Sequence, residues 1–218
     1  MPENEAHHVF KVLRARPGDP VEVADAGGGL SLAEISGDRA ATVVERLEAG
    51  FGEVEVVLYQ AVPKGSRMDL VVEKATEVGA TRIVPLLTEH GEVTPREGKL
   101  GRWRRVAEAA ARQSLRLRVP EVSGPTVFAE ALREAGEGVL LHNAPGLDDV
   151  EEAVGMGARL FVGPEGGWSE AELEEAREAG LSLAGLGPYR LRSETAGVVA
   201  VARARAALGR RVRTRGGV

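Results

Sequence analysis

The sequence contains no cysteine, few aromatic residues and no long hydrophobic run. Without cysteine, disulfides, thiolate catalysis and cysteine-ligated zinc are excluded. No run of about eighteen apolar residues is present, and the N-terminus is polar and acidic, which argues against membrane insertion and secretion. The four histidines lack the spacing of a metal-binding motif. We therefore expect a cytoplasmic protein that binds no metal.

Acidic residues outnumber basic ones, and the net charge of -5 argues against nonspecific attraction to nucleic acid. The basic residues, however, are concentrated in two segments, residues 96–118 and the stretch after Glu194, which contains no acidic residue. Both segments are candidate phosphate-binding surfaces. The alternative is that their arginines form ion-pair networks on the surface. Charge alone leaves both interpretations open.

The first fifty residues predict a compact, barrel-like β module. Short alternating runs at residues 21–23, 30–32 and 42–44 have the pattern of half-buried strands. Glycine-containing turns separate these runs. A domain boundary is expected near residues 49–52.

From residue 53 onward, apolar runs of strand length alternate with helical patterns. Such an alternation, with unbroken apolar strands, predicts an α/β fold whose mostly parallel sheet is covered by helices on both faces. The predicted strands are residues 54–62, 83–87, 139–141, 160–162 and 181–186, and the predicted helices are residues 66–78, 100–114, 148–154 and 170–179.

A glycine-rich segment, residues 163–169, follows one of these strands and opens a helix. Ser169 and Glu172 have the spacing of a capping box. Glycines allow the backbone to approach a ligand, and ligands of parallel α/β sheets bind beyond the carboxyl ends of the strands. The segment is neither a dinucleotide-binding GxGxxG motif nor a phosphate-binding P-loop. A tight turn without function is the alternative.

A second segment, residues 186–196, runs from a strand through a Gly-Pro turn into a helix of small apolar residues. Arg192 lies at the start of that helix, where the helix dipole does not favour a cation, so a functional role would explain it. A surface ion pair with Glu194 is the alternative. The two segments together are expected to form the walls of one pocket.

In this order and at this separation, GPEGGWS (residues 163–169) and LGPYRLRSETA (residues 186–196) resemble the RsmE-type uridine N3-methyltransferases of 16S ribosomal RNA. Further similarity lies in residues 60–92 and 108–114. This family belongs to the SPOUT class, so the resemblance implies an α/β domain with a C-terminal trefoil knot and a mostly parallel sheet. It also implies a preceding PUA-like β-barrel that binds RNA. The expected domains are residues 1–50 and 53–218.

The resemblance further implies a homodimer that binds S-adenosyl-L-methionine and acts on ribosomal RNA or an assembled small subunit. This chain has Tyr189 and Arg190 where family members usually have arginine and an aliphatic residue. Three loops are expected to hold the cofactor. Their candidate residues are Leu141, His142, Asn143, Gly163, Pro164, Glu165, Gly166, Gly167, Leu186, Gly187, Tyr189, Leu191, Arg192, Ser193 and Thr195.

Methylation at N3 of uridine requires loss of a proton and stabilisation of charge on the ring oxygens. Arg192 is the candidate stabiliser, and Glu194 and Glu165 are candidates for the base or for an orienting group; helix capping and loop closure are the structural alternatives for both glutamates. The basic residues that we assign to RNA binding are Arg14, Lys64, Arg67, Arg102, Arg105 and Arg112.

Three other functions are considered. The first is a methyltransferase of the same fold that acts on another RNA or on a ribose 2'-oxygen. The second is a noncatalytic RNA-binding protein that retains the fold. The third is a nucleotide hydrolase, which the missing Lys-Ser/Thr motif and the lack of a magnesium-binding carboxylate cluster disfavour.

Overall fold

The computed structural model describes residues 8–12, 14–24, 29–37, 40–47, 54–95, 98–155 and 157–215. The chain forms two compact units, Met1–Gly52 and Glu53–Val218. The boundary predicted at residues 49–52 lies outside the described residues. No helix within the described ranges has the length and apolar character needed to cross a membrane.

Among its described residues, the first unit forms a π-helical turn, His8–Val12, and a three-stranded antiparallel sheet. Its strands are β1 (Pro20–Ala24), β2 (Leu30–Ile35) and β3 (Ala41–Leu47), with β2 in the centre. Alternate residues of β2 are buried, namely Ser31, Ala33 and Ile35. This period of two is that of a strand with one covered face. The predicted period is confirmed, but the predicted face is wrong, because Leu30 and Leu32, the apolar pair of the sequence pattern, lie on the less buried side.

The second unit is built on a sheet that has seven strands among the described residues. The strands are β4 (Val56–Ala61), β5 (Arg82–Leu87), β6 (Glu121–Val122), β7 (Thr126–Val127), β8 (Val139–Leu141), β9 (Ala158–Val162) and β10 (Ser182–Ala184). Their order is β10-β8-β9-β4-β5-β6, and β7 also pairs with β5. Every pairing described in this sheet is parallel, so the prediction of a mostly parallel sheet is confirmed.

Helices cover both faces of this sheet, because its strands bury side chains on both sides. Val56 and Leu58 of β4 pack on one face, whereas Val57 and Tyr59 pack on the other. The helices are α1 (Arg67–Glu77), α2 (Gly98–Gln113), α3 (Phe128–Ala135), α4 (Val150–Ala153), α5 (Glu170–Glu178) and α6 (Ser193–Arg215). Helices α1, α2, α4 and α6 contribute to the first face, and α3 and α5 to the second.

The second face is centred on aromatic residues. The rings of Tyr59 and Phe161 stack with their centroids 4.3 Å apart, and Phe128 contacts Phe161 edge-on. Trp168 lies against Phe128. Burial raises the pKa of the Tyr59 hydroxyl, which favours its neutral form inside this core.

No element is predicted for residues 121–135, but the structure forms β6, β7 and α3 there. Helix α3 buries Phe128, Ala131, Leu132 and Ala135, which is the spacing of one helix face. Two of these four residues are alanines, and the helix has only eight residues, so its hydrophobic periodicity is weak in the sequence. Packing against the aromatic face stabilises it instead.

Candidate active site

The loops after β8, β9 and β10 form a cavity of about 540 Å³ at the carboxyl ends of these strands. Parallel strands bring the loops together because their carboxyl ends share one edge of the sheet. The lining residues are Leu141, His142, Asn143, Val162, Gly163, Pro164, Glu165, Gly167, Trp168, Leu186, Gly187, Tyr189, Arg190, Leu191, Arg192, Ser193 and Ala196.

The glycine-rich loop after β9 is shaped by the indole of Trp168. A Cβ atom at Gly163 would lie 3.0 Å from that ring, so a larger residue would displace one or the other. The indole Nε1 donates a hydrogen bond to the carbonyl oxygen of Leu141 at 3.0 Å. Trp168 therefore joins the loop after β9 to the end of β8.

The capping box predicted for Ser169 and Glu172 is confirmed at the start of α5. Ser169 Oγ accepts from the Glu172 amide at 3.2 Å, and Glu172 Oε2 accepts from the Ser169 amide at 3.0 Å. Glu172 Oε1 accepts from the amide of Glu89 at 2.8 Å. The same carboxylate thus stabilises a helix terminus and holds the loop after β5 against it.

Gln60 is a buried polar residue that is not among the predicted site residues. Its Nε2 donates to Ser193 Oγ at 2.9 Å and to the Ala61 carbonyl at 3.0 Å. Ser193 Oγ in turn donates to the carbonyl of Gly163 at 2.6 Å. This chain of hydrogen bonds ties β4, the glycine loop and the start of α6 together. A polar residue in the otherwise apolar run of β4 is the signal that could have revealed it.

A charged group borders the cavity on the side of α1. Arg67 Nη1 lies 3.1 Å from Glu165 Oε1, and Arg67 Nε lies 3.5 Å from Glu194 Oε1. The main-chain amide of Lys64 also donates to Glu165 Oε1 at 3.4 Å. Glu165 lines the cavity, whereas Glu194 is buried beside it and does not. Arg67 therefore links the two candidate carboxylates.

Arg192 lines the cavity and is exposed, and no described carboxylate lies within ion-pair distance of its guanidinium. The surface ion pair with Glu194, considered above as an alternative, is not formed; Glu194 contacts Arg67 instead. Tyr189 also lines the cavity, with 81% of its surface exposed. A cation and an aromatic ring are thus presented at the mouth of the cavity.

Most residues predicted to hold the cofactor lie together in this lining. Two of the predicted residues, Gly166 and Thr195, lie outside the lining. Gly166 faces His90: a Cβ added at position 166 would lie 3.1 Å from the Cβ of His90. Thr195 is exposed on α6. The cavity also includes residues outside the predicted set, namely Val162, Trp168, Arg190 and Ala196.

The residues predicted to bind RNA fall into two groups. The first group is exposed and consists of Arg14 in the first unit and Arg102, Arg105 and Arg112 on α2. Arg102 is also paired with Asp69 at 2.8 Å, but 59% of its side chain remains exposed. The second group forms ion pairs near the cofactor cavity. Arg67 forms the ion pairs described above, and Lys64 Nζ lies 2.8 Å from Glu92.

Other arginines of the two basic segments form hydrogen bonds or ion pairs within the fold. Arg104 and Arg116 donate to main-chain carbonyls. Arg203 pairs with Glu151, and Arg205 donates to the carbonyl of Val54. Only part of the basic composition therefore remains for phosphate binding.

Comparison with known proteins identifies the family. Residues 52–205 match the RNA methyltransferase domain, and residues 2–46 match the RNA methyltransferase PUA domain. Ribosomal RNA small subunit methyltransferase E of Synechocystis sp. is 35% identical over 217 residues, covering 94% of this chain and 71% of that protein. The enzyme of the same name from Mycobacterium bovis is 33% identical, covering 91% and 82%.

The chain belongs to the ribosomal RNA small subunit methyltransferase E family. A solved member of the family, from Neisseria gonorrhoeae and bound to S-adenosyl methionine, is 30% identical to it. The two structures agree with a TM-score of 0.75 over 93% of this chain and 88% of that one. The predicted family, methyltransferase class and α/β fold with an N-terminal PUA-like domain are confirmed; the trefoil knot stays a prediction.

Proposed function

We propose that the protein transfers the methyl group of S-adenosyl-L-methionine to N3 of a uridine in the 16S ribosomal RNA of the small subunit. The observation that carries this proposal is the cavity formed by the loops after β8, β9 and β10. It contains most of the predicted cofactor residues in a chain whose relatives include a methyltransferase bound to S-adenosyl methionine.

The cavity fits such a cofactor in size and in chemistry. Its volume of about 540 Å³ lies within the range of small-molecule sites, roughly 300–1,000 Å³. Glycine and proline expose main-chain amides and carbonyls along two of its loops, and these groups can recognise the polar edge of an adenine. Trp168 and Leu141 give it an apolar wall.

The bound cofactor supplies an electrophilic methyl group on a sulfonium. The protein must position N3 of the uridine in line with it and remove the N3 proton. Arg192 is placed to stabilise the negative charge that develops on the uracil oxygens, because its guanidinium lines the cavity without a described anionic partner. We assign Glu165, which lines the same cavity, as the base that accepts the N3 proton. Glu194, which is buried against Arg67, then orients that arginine toward Glu165.

The proposed substrate follows from the reacting atom. N3 is on the pairing edge of uracil, so the base must be unpaired or extruded before transfer. Arg102, Arg105 and Arg112 of the second unit are exposed and suited to phosphate contacts, and so, in the first unit, is Arg14. We further propose that the protein acts as a homodimer in the cytoplasm, on ribosomal RNA or the assembled small subunit.

The test is methyl transfer from radiolabelled S-adenosyl-L-methionine to small subunits that lack the modification and, in parallel, to naked ribosomal RNA. We expect labelled 3-methyluridine in the digested nucleosides. A labelled 2'-O-methylribonucleoside would support the alternative target. No incorporation despite cofactor binding would contradict the proposal.

A further inference from the structure

The loop between β10 and α6, residues 185–192, presents Tyr189 at the mouth of the cofactor cavity. This side chain lines the cavity and is nevertheless 81% exposed. Neither its ring nor its hydroxyl contacts a partner among the described residues. A large aromatic surface is therefore open to a ligand beside the reaction site.

The loop holds this side chain in place because both of its ends are fixed. Gly187 has a φ of +104°, a conformation that favours glycine, and Pro188 restricts its own φ. At the other end, Ser193 is buried and donates to the carbonyl of Gly163 at 2.6 Å. A tyrosine on an anchored backbone loses little further freedom when a ligand covers it, since its side chain has only two rotatable bonds.

The other rings of the lining belong to the wall of the cavity. Among the described residues they are the indole of Trp168 and the imidazole of His142. Trp168 is only 8% exposed and donates to the Leu141 carbonyl, and His142 is half-buried. A cofactor in the interior is bounded by these side chains and by the glycine loop, which leaves Tyr189 for a molecule at the mouth.

The charges of the same loop indicate the chemistry of that molecule. Arg190 and Arg192 are exposed, line the cavity and have no described ion-pair partner. Cations beside an open aromatic ring favour a nucleic acid, because its phosphates are anionic and its unpaired bases stack on aromatic side chains.

Arg192 and Tyr189 suit different parts of one uracil. Methyl transfer requires N3 in line with the sulfonium methyl, so the base must be held by a face as well as by an edge. Arg192, assigned above to the uracil oxygens, contacts an edge, whereas Tyr189, three residues earlier in the same loop, offers a surface to a face. Extruded bases are commonly held by hydrogen bonds to one edge and by stacking on aromatic side chains.

We propose that the ring of Tyr189 stacks on the target uridine and thereby positions N3 for methyl transfer. This assigns Tyr189 to the substrate instead of the cofactor. The proposal rests on the proposed function, which supplies the uridine. Because stacking does not need the hydroxyl, phenylalanine should replace tyrosine here, whereas leucine, which has apolar bulk but no aromatic face, should not.

Tyr189→Leu and Tyr189→Phe form a matched pair that tests this surface. We expect kcat/KM for small subunits that lack the modification to fall about tenfold in Tyr189→Leu, as for the loss of one base–aromatic stack. In Tyr189→Phe it should stay within about threefold of the parent value. Affinity for S-adenosyl-L-methionine, measured by calorimetry, should be unchanged in both variants.

Three results of these measurements would overturn the proposal. The first is an equal kcat/KM in Tyr189→Leu and the parent protein. The second is a loss of cofactor affinity in Tyr189→Leu, since the ring would then contact the cofactor. The third is a shift of the monomer–dimer equilibrium of Tyr189→Leu in analytical ultracentrifugation, since a second copy of the chain would then cover the ring.

The chain has only two tyrosines, so a fluorine label separates the mouth of the cavity from the core, where Tyr59 is buried. The protein is labelled with 3-fluorotyrosine and saturated with S-adenosyl-L-homocysteine, which has no methyl group to transfer. Its two ¹⁹F signals are assigned with Tyr189→Phe. We expect hexauridylate to shift the Tyr189 signal in a saturable manner and to leave the Tyr59 signal unchanged. An unshifted Tyr189 signal would also overturn the proposal.

Failure of the proposed function gives a different result. If the parent protein transfers no methyl group to small subunits while hexauridylate shifts the Tyr189 signal, the methyl transfer assignment fails and the stacking surface stands. If the parent methylates the subunits and Tyr189→Leu does so equally well, the function stands and the stacking proposal fails.

Discussion

The two edges of the parallel sheet differ in how far their arginines have partners within the fold. At the amino edge, Arg82 donates to Ser123 Oγ and pairs with Glu134 and Glu121, and Arg116 donates to two main-chain carbonyls. At the carboxyl edge, Arg192 lines a cavity with no described anionic partner. Charges that are matched within the fold stabilise it, whereas an unmatched cation beside a cavity is available to a ligand. Matched charges occur at both edges, since Arg67 pairs with Glu165 and Glu194 at the carboxyl edge. The unmatched Arg192 distinguishes the carboxyl edge, and we assign chemistry to that edge and stability to the other.

The largest expected effect is on turnover. Arg192→Ala should lower kcat by about 100- to 1,000-fold, the loss seen when one donor to a developing anion is removed. Because the cofactor loops keep their main-chain groups, cofactor affinity should change little. Single-turnover methyl transfer and calorimetric titration of S-adenosyl-L-methionine measure the two quantities.

The matched control is Arg159→Ala, at the amino edge of β9, where Arg159 pairs with Glu55. It should leave kcat within about twofold, as expected for an exposed ion pair. Similar turnover in Arg192→Ala and Arg159→Ala would remove the distinction between the edges.

A smaller effect is expected on cofactor binding from Gln60→Leu. The substitution removes the hydrogen bond from Nε2 to Ser193 and so loosens the link to the Gly163 carbonyl. We expect affinity for S-adenosyl-L-methionine to fall about tenfold, the equivalent of one buried hydrogen bond. Titration calorimetry on the purified variant provides the measurement.

Ser193→Ala tests whether Gln60 acts through that link. If it does, the double variant should lose hardly more affinity than the more damaging single one, because both changes break one chain of hydrogen bonds. Additive losses would show that Gln60 affects the cavity by another route.

The smallest effect is expected at the amino edge. Arg82→Met keeps the aliphatic stem but removes the bonds to Ser123 and the adjacent carboxylates. Since the side chain is partly exposed, we expect the free energy of unfolding, measured in urea, to fall by about 1 kcal/mol. The affinity for the cofactor should not change. A variant of normal stability that binds the cofactor poorly would reverse the assignment of this edge.

The sequence was sufficient to predict the features that are local in the chain. The apolar runs of β4, β8 and β9 predicted strands buried on both faces, and Ser169 with Glu172 predicted the capping box. The glycine and proline positions of two loops predicted a shared pocket, because parallel strands bring their carboxyl ends to one edge. These signals lie within a few residues of the elements they specify.

The features that escaped prediction depend on contacts between distant segments. Helix α3 is too short and too rich in alanine to give a strong period of its own. The role of Gln60 depends on its hydrogen bond to Ser193, which lies 133 residues away in the chain. Neither the spacing of residues nor the composition reveals contacts between distant segments of the chain.

Gln60 and Ser193 are separated by 133 residues, and a Cβ at Gly197 would overlap with Gln60 Oε1. Closing so long a stretch of chain costs conformational entropy before any contact offsets it, so contacts of this kind tend to form slowly. Helix α6 must therefore be synthesised and docked before β4 and the glycine loop are tied together. During translation, the cofactor site therefore cannot mature when β4 is made, but only after the 133 further residues up to Ser193 and the start of α6 have followed it.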